Sequence, residues 1–483
     1  MKLKDLLTSI EITAWHADPE AEIAEVCYDS RKVEKGDLYV AVRGYQTDGH
    51  RYIESAVQNG AVAVVCEQVP ECDVPYVLVR DSREALALIG VNRFDHPAEK
   101  MTMIAVTGTN GKTTVTYLLK SILEQTLGAK VGLIGTIRNM IGDEEIPTER
   151  TTPESYEVQA LFRRMADAGC THVVMEVSSH ALYLHRVAGV QFTVGIFTNL
   201  TEDHLDFHKT MENYRKAKQI LFEHCDIGVF NRDDPVGETM LSESKAARNL
   251  TYAVGNDQAD LCARDLQLHA DGVEFNAVIG NEISRFRLGI PGRFSAYNAL
   301  AAIACASALG VPLGEISAAL RNTAGVKGRV EVVPTPGKDY TVLIDYAHTP
   351  DGLENVLRSV KGYCKGRLIA VFGCGGDRDP FKRPIMGKIG VTLADLVIFT
   401  SDNPRTEDPN EILRQIVAGA EGTKTPYTVI ENRRAAIRHA MDIARKDDII
   451  VLAGKGHETY QEIGKEKFHL DEREEVQAYL QEK

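Results

Sequence analysis

The segment that most restricts the possible folds of this chain is a glycine-rich loop between an apolar run and a helical stretch. Residues 103–107 (MIAVT) predict a buried strand, residues 107–114 read TGTNGKTT, and residues 113–125 have a helical pattern. This order is typical of phosphate-binding loops, in which backbone N–H groups and the helix N-terminus face phosphate oxygens. A tight turn that happens to contain Gly-Lys-Thr is the alternative, but the context favours binding of ATP or GTP.

Within this loop, Lys112 can neutralise the β- and γ-phosphates and Thr113 can ligate Mg²⁺. The loop is a variant, because the first glycine of the usual pattern would fall at Val106. We expect the nucleotide to contact Gly108, Thr109, Asn110, Gly111, Lys112, Thr113 and Thr114.

Alternating strand and helix patterns predict an α/β protein. The predicted strands are residues 37–42, 62–66, 76–79, 103–107, 131–134, 172–177, 193–198, 228–231, 342–345, 368–372, 396–400 and 449–453. Residues 251–288 alternate in shorter runs, which predicts antiparallel strands, and residues 295–309 predict an Ala-rich helix. We expect three domains at 1–98, 99–330 and 331–483, the second a doubly wound, mainly parallel sheet of the P-loop ATPase type and the third Rossmann-like.

Composition narrows the classes of function. The formal net charge of −14 over 483 residues argues against nucleic acid as the main partner, because phosphate backbones require basic surfaces. No apolar run approaches the roughly 18 residues that span a bilayer, and the first residues lack the apolar core of a signal peptide. The nine cysteines include no C-x-x-C pair, as expected in a reducing compartment. We expect a cytoplasmic monomer without membrane insertion.

Polar groups follow two further strands of the central region. Glu176 is placed at a strand end near the loop and could hold Mg²⁺, although an ordinary strand-end acid is an equal alternative. Residues 198–208 (TNLTEDHLDFH) are dense in metal-compatible and proton-handling groups, where a solvated loop is the bland alternative. The helix at 213–222 has three cations, and composition alone does not distinguish Lys218 from a solvated face.

Strand ends of the third region have polar loops that contain glycine or proline. These are residues 373–378 (GCGGDR), 401–405 (SDNPR) and 454–458 (GKGHE), and Asp345 is placed at the tip of another strand. Each loop alone is more typical of a plain turn. Because ligands bind at the carboxyl ends of strands in open α/β sheets, the loops together predict a second binding site.

Taken together, these motifs resemble those of the Mur ligases. The resemblance rests on GTNGKTT (108–114), EVSSHAL (176–182), NLTEDHLDFH (199–208), YRKAKQILF (214–222), DYAHTPD (345–351), SDNPRTEDP (401–409) and GKGHE (454–458), and it covers nearly the whole chain in order. It implies that the three domains bind, in order, the UDP part of UDP-N-acetylmuramoyl-L-alanyl-D-glutamate, ATP, and an incoming amino acid. It also implies the reaction: ATP phosphorylates a glutamate carboxylate, and an amine then displaces phosphate during peptidoglycan precursor synthesis.

The same resemblance implies roles for particular residues. Catalytic and metal-binding roles are expected for Lys112, Thr113, Glu176, His204 and Lys218, the last as a carbamate formed with CO₂. The implied nucleotide contacts also include Asn298, Arg329 and Asp345. The implied contacts of the UDP-substrate are Ser30, Thr151, Thr152, Ser178 and Arg186, whereas Leu184 stands where the family often has glutamine.

In the family, the sequence DNPR accompanies meso-diaminopimelate, and lysine-adding enzymes diverge at the arginine. The implied diaminopimelate site comprises Arg378, Asp402, Asn403, Arg405, Gly454 and Glu458. Diaminopimelate has a carboxylate that lysine lacks, and Arg405 can bind it in a bidentate fork, while Glu458 can receive the distal ammonium. A site built for that carboxylate rejects lysine because its partners are left unpaired.

Three alternatives remain open at this point. One is a lysine-adding enzyme of the same type. Another is a ligase like folylpolyglutamate synthase, which has no reason to have an N-terminal UDP-binding domain or the DNPR and GKGHE motifs. The third is a nucleotide-controlled binding or scaffold protein without catalysis, which predicts loss of Lys112, His204 or Lys218, and all three are present.

Overall fold

The computed structural model describes residues 1–44, 47–148, 150–323 and 325–482. Sheets of five, eleven and six strands follow one another along this part of the chain, with a two-stranded ribbon near the C-terminal end. Helices pack between and around the strands, as the alternating sequence pattern predicts.

The first sheet has the strand order β1-β5-β4-β3-β2, and only β1 runs antiparallel to its neighbour. Its strands are β1 (Ile12–His16), β2 (Val26–Cys27), β3 (Leu38–Val40), β4 (Ala63–Cys66) and β5 (Tyr76–Val79). The helices are α1 (Leu3–Leu6), α2 (Ile53–Asn59) and α3 (Ser82–Arg93), with 3₁₀ helices at Ser30–Lys32, Gly49–Tyr52 and Pro97–Lys100.

The central sheet has eleven strands in the order β16-β15-β14-β13-β12-β11-β6-β10-β7-β8-β9. They are β6 (Thr102–Thr107), β7 (Val131–Ile134), β8 (Asn139–Ile141), β9 (Glu144–Ile146), β10 (His172–Glu176), β11 (Phe192–Phe197), β12 (Cys225–Asn231), β13 (Arg248–Val254), β14 (Leu261–His269), β15 (Gly272–Ile279) and β16 (Glu282–Leu288). The helices are α4 (Lys112–Leu127), α5 (Ser155–Asp167), α6 (Ser179–Tyr183), α7 (Leu205–His208), α8 (Met211–Gln219), α9 (Gly237–Ser242), α10 (Arg293–Ala308) and α11 (Leu313–Asn322), with a 3₁₀ helix at Ile220–Glu223.

The middle of this sheet is parallel and buried on both faces. β6 lies between β10 and β11 and is parallel to both. Its residues Met103, Ile104, Ala105 and Val106 are at most 1% exposed. A continuous apolar run of this kind is what a strand covered by helices on both faces requires. The carboxyl ends of β6, β7, β10 and β11 therefore meet at one edge of the sheet.

The prediction of antiparallel strands over residues 251–288 is only partly right. β13 runs parallel to β12 and to β14, whereas β14, β15 and β16 form the antiparallel set. α9 provides the crossover that parallel pairing of β12 and β13 needs, while the turns between the last three strands are two residues long. The short antiparallel strands β8 and β9 were not predicted.

The third sheet has the order β17-β18-β22-β19-β20-β21, with β18, β22, β19, β20 and β21 mutually parallel. Its strands are β17 (Glu331–Val333), β18 (Thr341–Asp345), β19 (Leu368–Phe372), β20 (Leu396–Phe399), β21 (Tyr427–Val429) and β22 (Ile449–Ala453), and the separate ribbon is β23 (Tyr460–Ile463) with β24 (Glu466–His469). The helices are α12 (Pro350–Lys361), α13 (Lys382–Leu393), α14 (Pro409–Ala418), α15 (Arg433–Ile443) and α16 (Glu472–Glu482).

One hydrophobic cluster includes side chains from α4, α10, the strand β18 and the helix α12, and Val326 and Val330 belong to it as well. The central and third regions therefore share apolar packing near their connection. No helix among the described residues combines the length and the apolar composition that crossing a membrane would need.

Candidate active site

The phosphate loop joins the end of β6 to the start of α4 and is shaped by two glycines. Gly108 and Gly111 have φ values of +148° and +88°, a region that side chains disfavour. A Cβ would lie 1.9 Å from Thr198 Oγ1 at Gly108 and 2.3 Å from Asn298 Oδ1 at Gly111. The loop is therefore packed tightly at the N-terminus of α4, where backbone N–H groups and the helix dipole favour an anion.

Two lysines from different helices converge on one carbonyl oxygen of this loop. Lys112 Nζ and Lys218 Nζ donate hydrogen bonds of 2.8 and 2.9 Å to Gly108 O. Lys218 is only 1% exposed on α8. Burial lowers the pKa of both ammonium groups. The pKa of Lys218 falls well below its ordinary value because Lys112 adds to the effect, while Asp203 opposes it. The predicted catalytic pair is thus adjacent.

Glu176 ends β10 beside the loop and accepts several hydrogen bonds. Its carboxylate accepts from Thr113 Oγ1 at 3.0 Å and from the backbone N–H and hydroxyl of Thr136, each at 2.9 Å. Thr136 follows β7, the neighbour of β10. Sequence reasoning missed Thr136, although the meeting of parallel strand ends at one edge could have pointed to it.

The segment after β11 packs against the phosphate loop. Asn110 N donates to Asn199 Oδ1 at 2.9 Å. His204 has a φ of +54°, and its ring centroid lies 4.8 Å from that of His180. Partial burial lowers the pKa of His204, and the opposing charge of Asp203 does not cancel that effect. This shift favours the neutral imidazole, which is the form that binds metals.

The predicted metal residues offer a mixed set of ligands. Across residues 1–44, 47–148, 150–323 and 325–482, no three His, Cys, Asp or Glu side chains are grouped as a self-sufficient metal site. Thr113 and Glu176 offer a hydroxyl and a carboxylate, and their oxygens are 3.0 Å apart. Mg²⁺ is commonly held by one or two carboxylates together with substrate phosphates, and this arrangement fits that type of site.

Two residues predicted to contact the nucleotide lie at the connection to the third region. Arg329 Nη2 donates to Thr113 Oγ1 at 3.2 Å. The Asp345 carboxylate accepts from Val330 N and Ala347 N, each at 2.8 Å. Burial raises the pKa of Asp345, although Arg329 and the two N–H donors act against the shift. Arg329 therefore contacts the start of α4 directly, whereas Asp345 holds the backbone of the residue that follows Arg329.

Asp351, in the first turn of α12, also reaches the phosphate loop and was missed by sequence reasoning. Its Oδ2 accepts from Asn110 Nδ2 at 3.1 Å and from Thr201 Oγ1 at 2.9 Å. The motif DYAHTPD includes this residue, but nothing in its local sequence says which distant loop it contacts. It ties the third region directly to the predicted nucleotide site.

Four of the residues predicted for the UDP-substrate lie near the end of β10. Thr152 Oγ1 accepts from Ser178 N at 3.2 Å, and Arg186 Nη1 donates to Thr152 O at 3.0 Å. Thr151 Oγ1 lies 3.0 Å from Thr136 Oγ1. The structure therefore brings these four together at the edge that also holds Glu176.

The fifth, Ser30, is a buried residue of the first region. Asn59 Nδ2 donates to its carbonyl oxygen at 2.9 Å. Two residues earlier, Tyr28 Oη donates to Glu157 Oε1 on α5 at 2.6 Å, and burial followed by this carboxylate raises the pKa of the phenol. This hydrogen bond links the segment around Ser30 to the central region.

At the carboxyl ends of β20 and β22, a buried lysine connects three predicted residues. Lys455 Nζ donates to Asn403 Oδ1 at 2.8 Å and to Glu458 Oε2 at 3.1 Å, and Asp402 Oδ1 is 3.5 Å away. A Cβ at Gly454 would lie 2.6 Å from Asp402 Oδ2. Burial alone would raise the pKa of Asp402, but Lys455 and other cations hold it below its ordinary value. Sequence reasoning quoted the motif GKGHE but overlooked this lysine.

Arg405 and Arg378 both approach Gly375, where a Cβ would lie 3.0 Å from Arg405 Nη1 and 3.8 Å from Arg378 Cγ. Arg405 Nε donates to Glu462 Oε2 at 2.9 Å, and its Nη1 donates to Gly376 O at 2.9 Å. The predicted carboxylate-binding arginine is therefore partnered by Glu462 in this structure, and a ligand would compete for it or use its remaining donors.

Three family descriptions match successive parts of the chain. Residues 22–93 match the catalytic domain of the Mur ligase family, residues 106–306 the Mur ligase middle domain, and residues 328–456 the glutamate ligase domain of Mur ligases.

Similar proteins cover the chain from end to end. It is 49% identical to the UDP-N-acetylmuramoyl-L-alanyl-D-glutamate–2,6-diaminopimelate ligase of Clostridium botulinum, with 100% of both chains covered. The protein of the same name from Caldanaerobacter subterraneus is 50% identical, with 100% and 99% covered.

Solved structures agree with the fold. A structure bearing the same ligase name matches with a TM-score of 0.74 at 32% identity, covering 100% of this chain and 99% of the other. MurF from Acinetobacter baumannii shares the fold at a TM-score of 0.64 and 20% identity, with 100% and 99% covered. The predicted α/β class with a mainly parallel central sheet is confirmed.

Proposed function

This chain belongs to the Mur ligase family, and from that premise we propose that it adds meso-diaminopimelate to UDP-N-acetylmuramoyl-L-alanyl-D-glutamate with ATP. The relatives that are 49% and 50% identical over the full length bear the name of that ligase. The new bond is an amide between a glutamate carboxylate and an amine of diaminopimelate. The reaction is a step of peptidoglycan precursor synthesis.

The observation that supports diaminopimelate is the charge pattern at the strand ends of the third sheet. Arg405 and Arg378 lie together and supply cations for a carboxylate, while Glu458 supplies an acceptor for an ammonium group. Lysine lacks the second carboxylate, so it would leave the arginines without that partner. A site with these three groups therefore suits an amino acid with two carboxylates and two amines.

The chemistry requires activation, because a carboxylate is a poor electrophile until one oxygen becomes part of a good leaving group. A carboxylate oxygen of the glutamyl residue bonds to the γ-phosphorus of ATP while ADP departs. The neutral amine then attacks the acyl carbon, and inorganic phosphate and a proton leave. Lys112 would turn from the loop carbonyl it now contacts to the β- and γ-phosphates, whose charge it stabilises.

We propose that Thr113 and Glu176 hold Mg²⁺ at the phosphate loop. When bound, the ion would neutralise charge on the phosphates. Thr136 orients the Glu176 carboxylate through two hydrogen bonds of 2.9 Å, so the protein fixes the geometry of this ligand in advance. Asn298, Arg329 and Asp345 would contact the remaining parts of the nucleotide.

We also propose that Lys218 is carbamylated and, with His204, ligates a second metal ion. CO₂ reacts with neutral amines, and the lowered pKa of the buried Lys218 favours that form. The carbamate would place a negative charge beside the Lys112 ammonium, an attraction that the neutral amine does not provide. ¹³C NMR of protein in [¹³C]bicarbonate tests this point: a carbamate resonance that Lys218→Ala lacks supports it, and identical spectra contradict it.

We assign residues 1–98 to the UDP-substrate, 99–330 to ATP and 331–483 to the amino acid. Ser30, Thr151, Thr152, Ser178 and Arg186 would contact the UDP-substrate, and Asp402, Asn403 and Gly454 would line the amino-acid site. All nine cysteines are unpaired, in keeping with a reducing compartment, and we propose a cytoplasmic monomer.

The test is ADP and phosphate release in a mixture of ATP, Mg²⁺, the UDP-dipeptide and diaminopimelate, with each component omitted in turn. We expect release to require all four. Release that continues without diaminopimelate would contradict amide synthesis. Turnover with a folate in place of the UDP-dipeptide would favour the folylpolyglutamate synthase alternative, and Lys218→Ala with full activity would contradict the role of that lysine.

A further inference from the structure

The junction between the first and central regions holds a basic cluster that none of the steps above uses in full. Arg83 from α3, Arg150 from the segment before α5 and Arg186 from the segment after α6 all approach the Glu154 carboxylate. The shortest distances are 2.7 Å from Arg186 Nη2, 3.0 Å from Arg150 Nη1 and 3.6 Å from Arg83 Nη1. The three guanidinium groups share the Glu154 carboxylate, and Asp81 acts on Arg83 from a greater distance, so the three cations outnumber these two carboxylates.

Burial makes this imbalance significant. The side chains of Arg83 and Arg186 are each 15% exposed, and that of Glu154 is 14% exposed. Arg186 Nε is buried and has no hydrogen-bond partner in the described part of the chain. Burial lowers the pKa of Arg83, and the charges of Arg186 and Arg150 lower it further, while Glu154 and Asp81 act in the opposite direction without cancelling the shift. A bound anion would accept a hydrogen bond from Arg186 Nε and would counteract the lowering of the Arg83 pKa.

The cluster spans two domains beside the predicted UDP-substrate residues. Arg186 Nη1 contacts Thr152 O at 3.0 Å. From the first region, Arg83 Nε donates to Arg43 O at 2.9 Å, so the guanidinium is held by its own domain while it faces Glu154. An anion here would therefore contact groups from both domains.

We propose that Arg83 and Arg150, together with Arg186, form an oxyanion site for the nucleotide-sugar substrate and that the site holds the diphosphate. The inference rests on the proposed function, which supplies this substrate. A diphosphate has the charge that the cluster lacks, and guanidinium groups bind phosphate oxygens through paired hydrogen bonds. The substrate's carboxylates are the other source of an oxyanion.

The test compares Arg83→Ala and Arg83→Lys with the wild type. We expect the KM for the UDP-dipeptide to rise about 10- to 100-fold in Arg83→Ala, because one charge-assisted hydrogen bond is lost. The KM should rise less in Arg83→Lys. The KM values for ATP and diaminopimelate should stay within about twofold, because the cluster touches neither predicted site. Arg163→Ala is the matched control, since Arg163 is a surface arginine of α5 that pairs with Asp167.

UDP as a competitive inhibitor distinguishes the two oxyanion sources, because it has a diphosphate but no carboxylate. If the diphosphate occupies the site, the inhibition constant of UDP rises with the KM in Arg83→Ala. An unchanged UDP constant with a raised KM keeps the oxyanion site but assigns it to a substrate carboxylate, which overturns the diphosphate assignment.

An unchanged KM for the UDP-dipeptide and an unchanged UDP constant in Arg83→Ala would overturn the whole inference. If that variant does not fold, Arg150→Ala provides the same readouts, because its side chain is 52% exposed and contributes little packing. A wild-type protein that does not turn over the UDP-dipeptide would contradict the proposed function instead. Calorimetric titration of UDP into the wild type and the variants would then still test the arginines.

Discussion

At the residue scale, the least ordinary group is the buried amine of Lys218. It is 1% exposed, donates to Gly108 O and lies 4.4 Å from the centroid of the Tyr214 ring. A lysine in this position lowers stability, because burial penalises its charged form. A group that costs stability in this way is consistent with the chemical role proposed for Lys218.

Lys218→Met should therefore raise the thermal unfolding midpoint of ligand-free protein in bicarbonate-free buffer and reduce activity at least about a hundredfold. The pKa of Lys218 in the folded state lies below 10.5, its ordinary value in the unfolded chain. At pH values between these two pKa values the unfolded state binds more protons, so wild-type stability rises with pH. The stability gap between variant and wild type should shrink toward pH 10.5. Calorimetry across pH measures it.

Lys216→Met on the same helix is the control for this prediction, because Lys216 is 65% exposed, and we expect it to change neither quantity. A Lys218→Met protein with wild-type turnover, or a stability gap that is constant across pH, would contradict the role assigned to the amine.

At this scale, the sequence predicts those site residues whose proposed roles depend on local order. Gly111, Lys112 and Thr113 are recognisable because strand, loop and helix are contiguous. Thr136 and Lys455 are not, because their roles arise from neighbours that lie 40 and 52 residues away along the chain. Such partners are defined by how strands assemble, which a single sequence does not state.

At the element scale, α4 is flanked by two glycines whose surroundings are very different. Gly111 precedes the helix and packs against Asn298, whereas Gly128 follows it with φ +60°, and a Cβ added there would have nothing within 4 Å. Both have positive φ, so only the packing distinguishes them. Substitutions at the two glycines therefore separate the effect of backbone strain from the effect of packing at the predicted nucleotide site.

We expect Gly111→Ala to raise the KM for ATP at least about tenfold and to destabilise the protein by more than about 1 kcal/mol, because the loop must move away from Asn298. Gly128→Ala should lower the free energy of unfolding only through backbone strain, by about 1 kcal/mol, and should leave the KM for ATP unchanged. Steady-state kinetics and urea unfolding check both. Equal effects of the two variants on ATP would contradict the role of the loop.

The loop after β22 allows a second prediction at this scale. Lys455→Met should raise the KM for diaminopimelate about tenfold or more while the KM for ATP stays constant, since Asn403 and Glu458 lose their common donor. It should also destabilise the protein by about 3–5 kcal/mol, because Asp402 is left as a buried charge. Lys446→Met, an exposed change, is the control.

The pH dependence of the same variant provides a further check. Lys455 helps to depress the pKa of Asp402, so this carboxylate stabilises the folded state above pH 3.8, and the contribution is lost as the pH falls through the folded pKa. The stability difference between the wild type and Lys455→Met should therefore narrow as the pH falls below 3.8 in acid titration, because the wild type loses this contribution and the variant no longer has it. Identical acid unfolding curves would show that the pair is not coupled.

Strands predicted from long apolar runs match the structure closely, as residues 172–177 and β10 illustrate. The pairing direction of β13 was predicted wrongly, and several strands outside such runs were not predicted, among them β1, β2, β17, β21, the short hairpin of β8 and β9, and the ribbon of β23 and β24. Pairing direction depends on the crossover through α9, which local alternation does not reveal. Strands of three residues contain too few side chains for a period-two pattern.

At the scale of the whole molecule, the central region contacts both of its neighbours. Asp351 of the third region contacts Asn110 of the phosphate loop, and Arg329, at the connection between the two regions, contacts Thr113. Tyr28 of the first region contacts Glu157 on α5 of the central region. An acceptor from the first domain and an amine from the third could both approach the central region.

The most direct test of this arrangement is a competition between amino acids. The protein is incubated with ATP, Mg²⁺, the UDP-dipeptide and equimolar diaminopimelate and lysine, and the UDP-linked products are identified by mass spectrometry. We predict that the diaminopimelate product predominates at least about a hundredfold, the discrimination expected when lysine leaves charged partners unpaired, and that Arg405→Ala narrows the ratio. A predominant lysine product, or no UDP-linked product at all, would contradict the assigned reaction.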